Sequence, residues 1–137
     1  MEKIRVDVAW CKGNFSASLS DNVPGAVVFT ADTFSELQKE ARDSLDFHVE
    51  GMLADGDDVP QWLADGDYEF EFNCLDATTL LLAYGPYLSL AAISRASGIN
   101  QHQLSHYANG LKQPRPQQRQ RIVDGIHKIA RELLAVV

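Results

Sequence analysis

Gln101, His102, Gln103, Ser105, His106 and Asn109 bring amides, imidazoles and a hydroxyl together at separations of one, three and four residues. On an α-helix those separations gather polar groups along an outer face. None of these side chains has the neighbours a nucleophile or an acid–base pair needs. What they offer is a row of hydrogen-bond donors and acceptors. Such a row suits the edges of bases in the major groove of DNA. The residues that follow, from Lys112 to Arg121, add Lys112, Arg115, Arg119 and Arg121, a basic patch able to meet phosphates.

A short helix must hold those residues, and the flanking sequence supplies one. Leu90, Ile93 and Ala96 recur at helical spacing and predict a helix ahead of the polar one. Gly98 breaks it where a left-handed residue costs least. Ile99 plugs the core, and Asn100 suits the N-cap of a second helix running from about Gln101 to Asn109. Leu104, with Tyr107 and Ala108 beside it, is its buried side, and Gly110 ends it. This run, SLAAISRASGINQHQLSHYANGLKQP, resembles the helix-turn-helix of the Cro-type, lambda-repressor-like family over about 45 residues. The likeness rests on Gly98-Ile99-Asn100 as the turn, the polar second helix, Asn109-Gly110 as its end, and a basic, proline-containing loop from Lys112 to Pro116. It implies that Gln101 and His102 meet base edges, with Gln101 preferring adenine, and that His106 follows one turn on. Ser105, Asn109 and Lys112 would bind phosphates or fix the helix, and Arg115 would add a phosphate contact.

The net charge of −7 argues against a simple nucleic-acid binder, but its distribution reverses that conclusion. Residues 1–74 hold 16 acids against 5 bases, whereas residues 75–137 hold 3 acids against 7 bases. No acid occurs between Ala77 and Val123. Two modules of opposite sign are expected, 1–74 and 75–137. The first should repel DNA and attract a basic protein.

In the first module Ile4, Val6, Val8 and Trp10 alternate with more polar residues, as do Phe15, Ala17 and Leu19. The Lys12-Gly13-Asn14 turn between them makes a hairpin. A third strand spans Ala26 to Thr30. Thr33 and Glu36 have capping-box spacing, and they open a helix whose apolar positions are Phe34, Leu37, Ala41, Leu45, His48 or Val49, and Met52. Asp55 to Gly66 reads as a polar loop anchored by Trp62 and Leu63. Tyr68, Phe70 and Phe72 form a fourth strand. The fold class is α+β, in β-β-β-α-β order, with one helix covering a sheet. From Asp21, DNVPGAVVFTADTFSELQKEARDSL, together with the Asp55-Gly56-Asp57-Asp58-Val59-Pro60 loop, the chain is similar to the N-terminal domain of HicB-type antitoxins over about 60 residues. That resemblance implies a partial RNase H-like domain lacking nuclease chemistry, followed by a DNA-binding module. It also implies two partners: a small, basic, RNA-cleaving HicA-like toxin that this domain masks, and double-stranded operator DNA in the chain's own promoter.

In the second module Asp76 suits the N-cap of a helix over Ala77 to Tyr84, closed by Gly85-Pro86. Pro116 fits the first position of a long terminal helix. Its apolar band of Ile122, Val123, Ile126, Ile129, Ala130, Leu133 and Leu134 exceeds what a minimal helix-turn-helix needs. Part of it is expected to form a homodimer or higher oligomer. Gly125 marks either a helix break or a close packing point.

No catalytic, metal or cofactor site is expected. Asp7, Asp43, Asp46 and Glu50 have no spacing that makes them converge on Mg²⁺ for a nuclease. Asp55, Asp57 and Asp58 lack the later bidentate Glu of a calcium loop. His102 and His106 stand four apart but lack the Glu of a metalloprotease helix. Cys11 and Cys74, at the ends of two strands, have no metal-ligand spacing and are expected to be buried free thiols. No apolar run approaches the ~18 residues that span a membrane. MEKIRVDVAW lacks the apolar stretch of a signal peptide, which points to a cytoplasmic protein. The expected function is that of an antitoxin and autorepressor. Its rival is a stand-alone helix-turn-helix regulator with a ligand-sensing or oligomerising first domain.

Overall fold

A computed structural model describes residues 1–137. It divides into two compact units, Met1–Leu75 and Asp76–Val137. Leu75 belongs with the first because its N–H donates to the Val8 carbonyl at 2.9 Å.

The first unit is a four-stranded sheet covered by one long helix. Its elements are β1 (Glu2–Cys11), β2 (Asn14–Leu19), β3 (Val28–Ala31), α1 (Phe34–Ala54), α2 (Gln61–Ala64) and β4 (Tyr68–Cys74). Their order in the sheet is β3-β2-β1-β4, with β1–β2 and β2–β3 antiparallel and β1–β4 parallel. Alternation decides the buried face: Ile4, Val6, Val8, Phe15, Ala17 and Phe29 all point inward. In the parallel pair, Ile4 lies beside Phe70, Val6 beside Phe72 and Val8 beside Cys74. The Thr33 side chain accepts from the Glu36 N–H, which starts α1, and Phe34, Leu37, Ala41 and Leu45 pack its inner stripe onto the sheet. A row of edge-to-face rings runs through this core: Trp10–Phe15 at 4.8 Å, Phe15–Phe34 at 6.0 Å and Phe34–Phe72 at 5.4 Å between centroids.

Two local expectations are corrected. The stretch read as a loop between Asp55 and Gly66 contains the short helix α2, with Leu63 buried and Trp62 edge-on to Tyr68. Burying that pair pulls the segment into a helical turn, which its polar composition conceals. Cys11 is exposed, whereas Cys74 is buried. Cys11 lies at the hairpin end of β1, and strand alternation turns it to the face opposite Ile4, Val6 and Val8, away from the core.

Burial raises the pKa of Tyr68 above its ordinary value, and the nearby Asp46 carboxylate adds to this while the Arg42 guanidinium opposes it. A tyrosine with a raised folded-state pKa binds its proton more tightly when folded. Its contribution is complete below pH ~10 and fades as the pH climbs through the folded value. Tyr68→Phe is expected to flatten the alkaline limb of the unit's stability curve, read by urea unfolding between neutral and strongly alkaline pH.

The second unit is all-helical: α3 (Ala77–Tyr84), α4 (Leu90–Ser97), α5 (Gln101–Ala108) and α6 (Pro116–Leu134). Each start has a local cause. Asp76 accepts from the Thr79 N–H, Ser89 from the Ala92 N–H and Asn100 from the His102 N–H, and Pro116 opens α6. Leu80, Leu81, Ile93, Ile99, Leu104, Tyr107 and Ile122 form the core. α6 runs unbroken through Gly125, which is a packing point rather than a helix break. A Cβ there would lie 3.1 Å from the Ser97 backbone nitrogen, so the missing side chain lets α6 approach α4 closely. The apolar band of α6 is buried only at its start: Ile122 is fully buried, while Leu133 and Leu134 are exposed. No helix is long and apolar enough to cross a membrane.

Candidate nucleic-acid interface

The candidate interface is built on α4, the turn after it, and α5. Gly98 takes φ 74°, the left-handed conformation that turns the chain sharply at the end of α4. The turn is tied down from within. Ser94 Oγ donates to the Ile99 carbonyl at 2.5 Å, and the Ile99 N–H donates to Ser97 Oγ at 3.2 Å. Ile99 is thereby driven into the core. Asn100 Oδ1 then caps α5 at 2.8 Å from the His102 nitrogen. Leu104, fully buried, and Tyr107, nearly so, pin the inner side of α5.

The outer side follows from that pinning. Gln101, His102, Gln103 and Asn109 are exposed, and Ser105 and His106 are half-buried. The His102 and His106 rings meet edge-on, 4.4 Å between centroids, so each limits the other's rotation. Asn109 Nδ2 donates to Ser105 Oγ at 3.4 Å, which steadies the far end of the row. Gln103 departs from its neighbours: it donates to the Tyr107 hydroxyl at 2.9 Å and is turned toward the loop. Lys112 and Arg115 are exposed on that loop. Gln101, His102, Ser105, His106 and Asn109 therefore form one polar strip on a single helix, with Lys112 and Arg115 beyond its C-terminal end.

Several positioning residues escape a reading by sequence alone. Thr78 on α3 donates its hydroxyl to the Tyr107 carbonyl at 2.6 Å and accepts from Gln113 Nε2 at 3.1 Å. One threonine thus anchors both the end of α5 and the basic loop. Arg121 counts in the sequence only as one more positive charge. In the fold it donates to the Ser97 carbonyl at 3.1 Å and to Gln118 Oε1 at 3.0 Å, a cation set against the end of α4. Apart from the Arg121–Gln118 pair within α6, nothing local signals these contacts, since the partners lie 24 to 35 residues apart in the chain.

No group of three or more His, Cys, Asp or Glu side chains converges to hold a metal anywhere in the chain. In the first unit Asp7 accepts from Arg5 Nε at 3.1 Å and from Asn73 Nδ2 at 2.9 Å. The acids of α1 sit on the exposed side of that helix. What the second unit presents is a rigid, neutral-to-basic row of hydrogen-bonding groups. No family model, no curated protein and no solved structure matches this chain.

Proposed function

We propose that the second unit binds duplex DNA through α5 and that the whole chain is a HicB-like antitoxin that represses its own promoter. The observation that carries the DNA-binding reading is the α5 strip. Its inner side is locked by Leu104 and Tyr107, its outer side is polar, and its flanks hold Lys112 and Arg115 in a window free of acids. An exposed helix of this kind fits the major groove, with base edges read by side chains near its start and phosphates met by the loop that follows.

The antitoxin reading rests on the first unit. Its β-β-β-α-β order, with a short helix added before β4, agrees with the partial RNase H-like domain that the resemblance implies. Its charge supports a cationic partner. Lys3 pairs with Glu69, Arg5 pairs with Asp7, and the Arg42 guanidinium lies over the Tyr68 and Phe70 rings at 5.6 and 5.8 Å. Three of the unit's five bases are thus engaged, while 16 acids set its field. Such a field speeds capture of a small basic protein.

Affinity capture from the native cell at low and high salt, with mass spectrometry of what co-purifies, tests the antitoxin half. A small basic protein in stoichiometric amount, toxic when expressed alone, is the expected result. Recovery of DNA and self-associated chain only would favour the stand-alone regulator. Fluorescence anisotropy on the chain's own promoter tests the DNA half. Lys112→Ala is expected to weaken binding to operator and unrelated DNA alike and to lower the slope of log K against log salt by about 1, the signature of one lost phosphate contact.

A further inference from the structure

The first unit carries an apolar groove that its own fold leaves open. β3 ends the sheet, so one of its edges has no strand beside it. The Leu19 N–H donates to the Val27 carbonyl at 3.1 Å. By the alternation of an antiparallel ladder, Val27 and Phe29 turn their backbone groups toward β2, while Val28 and Thr30 turn theirs to the open edge. The strand, Val28-Phe29-Thr30-Ala31, contains neither the Lys nor the Pro that guards exposed edges. Beside it on α1 stands Phe47, 80% exposed, and Val28 itself is 74% exposed. Met52 completes the apolar surface of the groove.

The rim is acidic. Glu40, Asp43, Asp55 and Asp57 line the groove, and no Lys or Arg does. The only other titratable group there, His48, is committed: its Nε2 lies 2.6 Å from the Pro24 carbonyl and donates to it. An unpaired strand edge offers backbone hydrogen bonds to an extended segment, an exposed aromatic ring offers an anchor for one apolar side chain, and carboxylates at the rim favour cations. Charge also narrows the occupant. A nucleic acid or an anionic membrane would be repelled, as would a second copy of a unit with 16 acids and 5 bases.

We propose that the groove between β3 and α1 docks an extended, Lys/Arg-rich segment of a partner protein, paired with the free edge of β3 and anchored by an apolar side chain on Phe47. The proposal deepens, and rests on, the reading that the acidic unit holds a basic partner.

A defined probe tests it: a short peptide of alternating Lys and Val, titrated into the ¹⁵N-labelled full chain, with a Glu/Val peptide as control. The expected result is saturable shifts of the Val28, Thr30, Phe47 and Gly51 amides with the cationic peptide and none with the anionic one. Phe47→Ser should weaken the peptide at least about tenfold. Phe47→Leu, which keeps an apolar anchor, should retain most of the affinity. Because Phe47 is largely exposed, both variants should keep the parent's circular dichroism. Shifts confined to other acids, equal affinity for the parent and Phe47→Ser, or groove shifts that depend on protein concentration without peptide would each overturn the proposal. A basic protein that co-purifies equally with the parent and Phe47→Ser would leave the antitoxin reading standing and remove this surface. A peptide seated in the groove, with no basic protein co-purifying, would do the reverse.

Discussion

Leu104→Ala is expected to abolish DNA binding by unfolding the second unit, without touching a DNA-facing group. Leu104 is fully buried, as are Ile93 and Ile122, and it lies on α5, which packs against α3 and α4. Truncating a buried leucine to alanine costs about 2–5 kcal/mol in lost transfer energy and cavity formation. A unit of this size is stable by roughly 3–9 kcal/mol at 0.05–0.15 kcal/mol per residue. One substitution therefore removes from about a fifth to all of the margin, and a unit near the middle of both ranges loses more than half of it. Both tryptophans, Trp10 and Trp62, belong to the first unit, so their emission follows that unit alone. The expected signature is an early loss of helical circular dichroism on heating, with tryptophan emission still native, together with loss of operator binding. An unchanged helical melt would mean that Leu104 does not support the core.

Gln101→Ala is expected to act in the opposite way, leaving stability in place and removing a single base preference. Asn100 caps α5, so Gln101 is its first helical residue, exposed and clear of the core. With α5 docked in the major groove as proposed, a glutamine there would reach the adenine edge with both amide atoms, a contact worth about 1–3 kcal/mol of discrimination. The expected loss is roughly 5- to 150-fold on the operator, with little change on unrelated DNA. Pairing the protein change with single base-pair changes across the operator isolates the coupled position. At that position alone the two losses should fail to add. Full affinity for every operator variant would show that α5 docks in a different register, with His102 or His106 leading.

The two expectations differ because one side of α5 packs into the core while the other is the side proposed to meet DNA, and the sequence separates the two well. Leu104 and Tyr107 fall at inward positions and the polar strip at outward ones, as the 3.6-residue period requires. The same holds for the strands, where Ile4, Val6, Val8, Phe15 and Ala17 alternate inward. The caps were legible too: Thr33, Asp76 and Asn100 each accept from an N–H two or three residues ahead. In all of these the interacting groups lie within one helical turn or one pleat, so a short window of sequence contains the whole interaction. Phe47 was not legible. The helical period leaves it off the inner stripe of α1, but only the strand order shows that the side it occupies borders the free edge of β3.

The sequence by itself thus determined the period of each main strand and helix, most helix starts, the left-handed break at Gly98 and the opposed charges of the two halves. Tertiary structure alone decided the strand order β3-β2-β1-β4, the open edge of β3, the helical turn at Trp62 and Leu63, and the exposure of Cys11 and Leu134. It alone made Thr78 the anchor of α5 and Arg121 a brace for the end of α4. The physical reason is distance along the chain. Backbone conformation and capping are set by neighbours within about four residues. Burial of a given face, and the hydrogen bonds that cross between elements, depend on which distant segments pack against it.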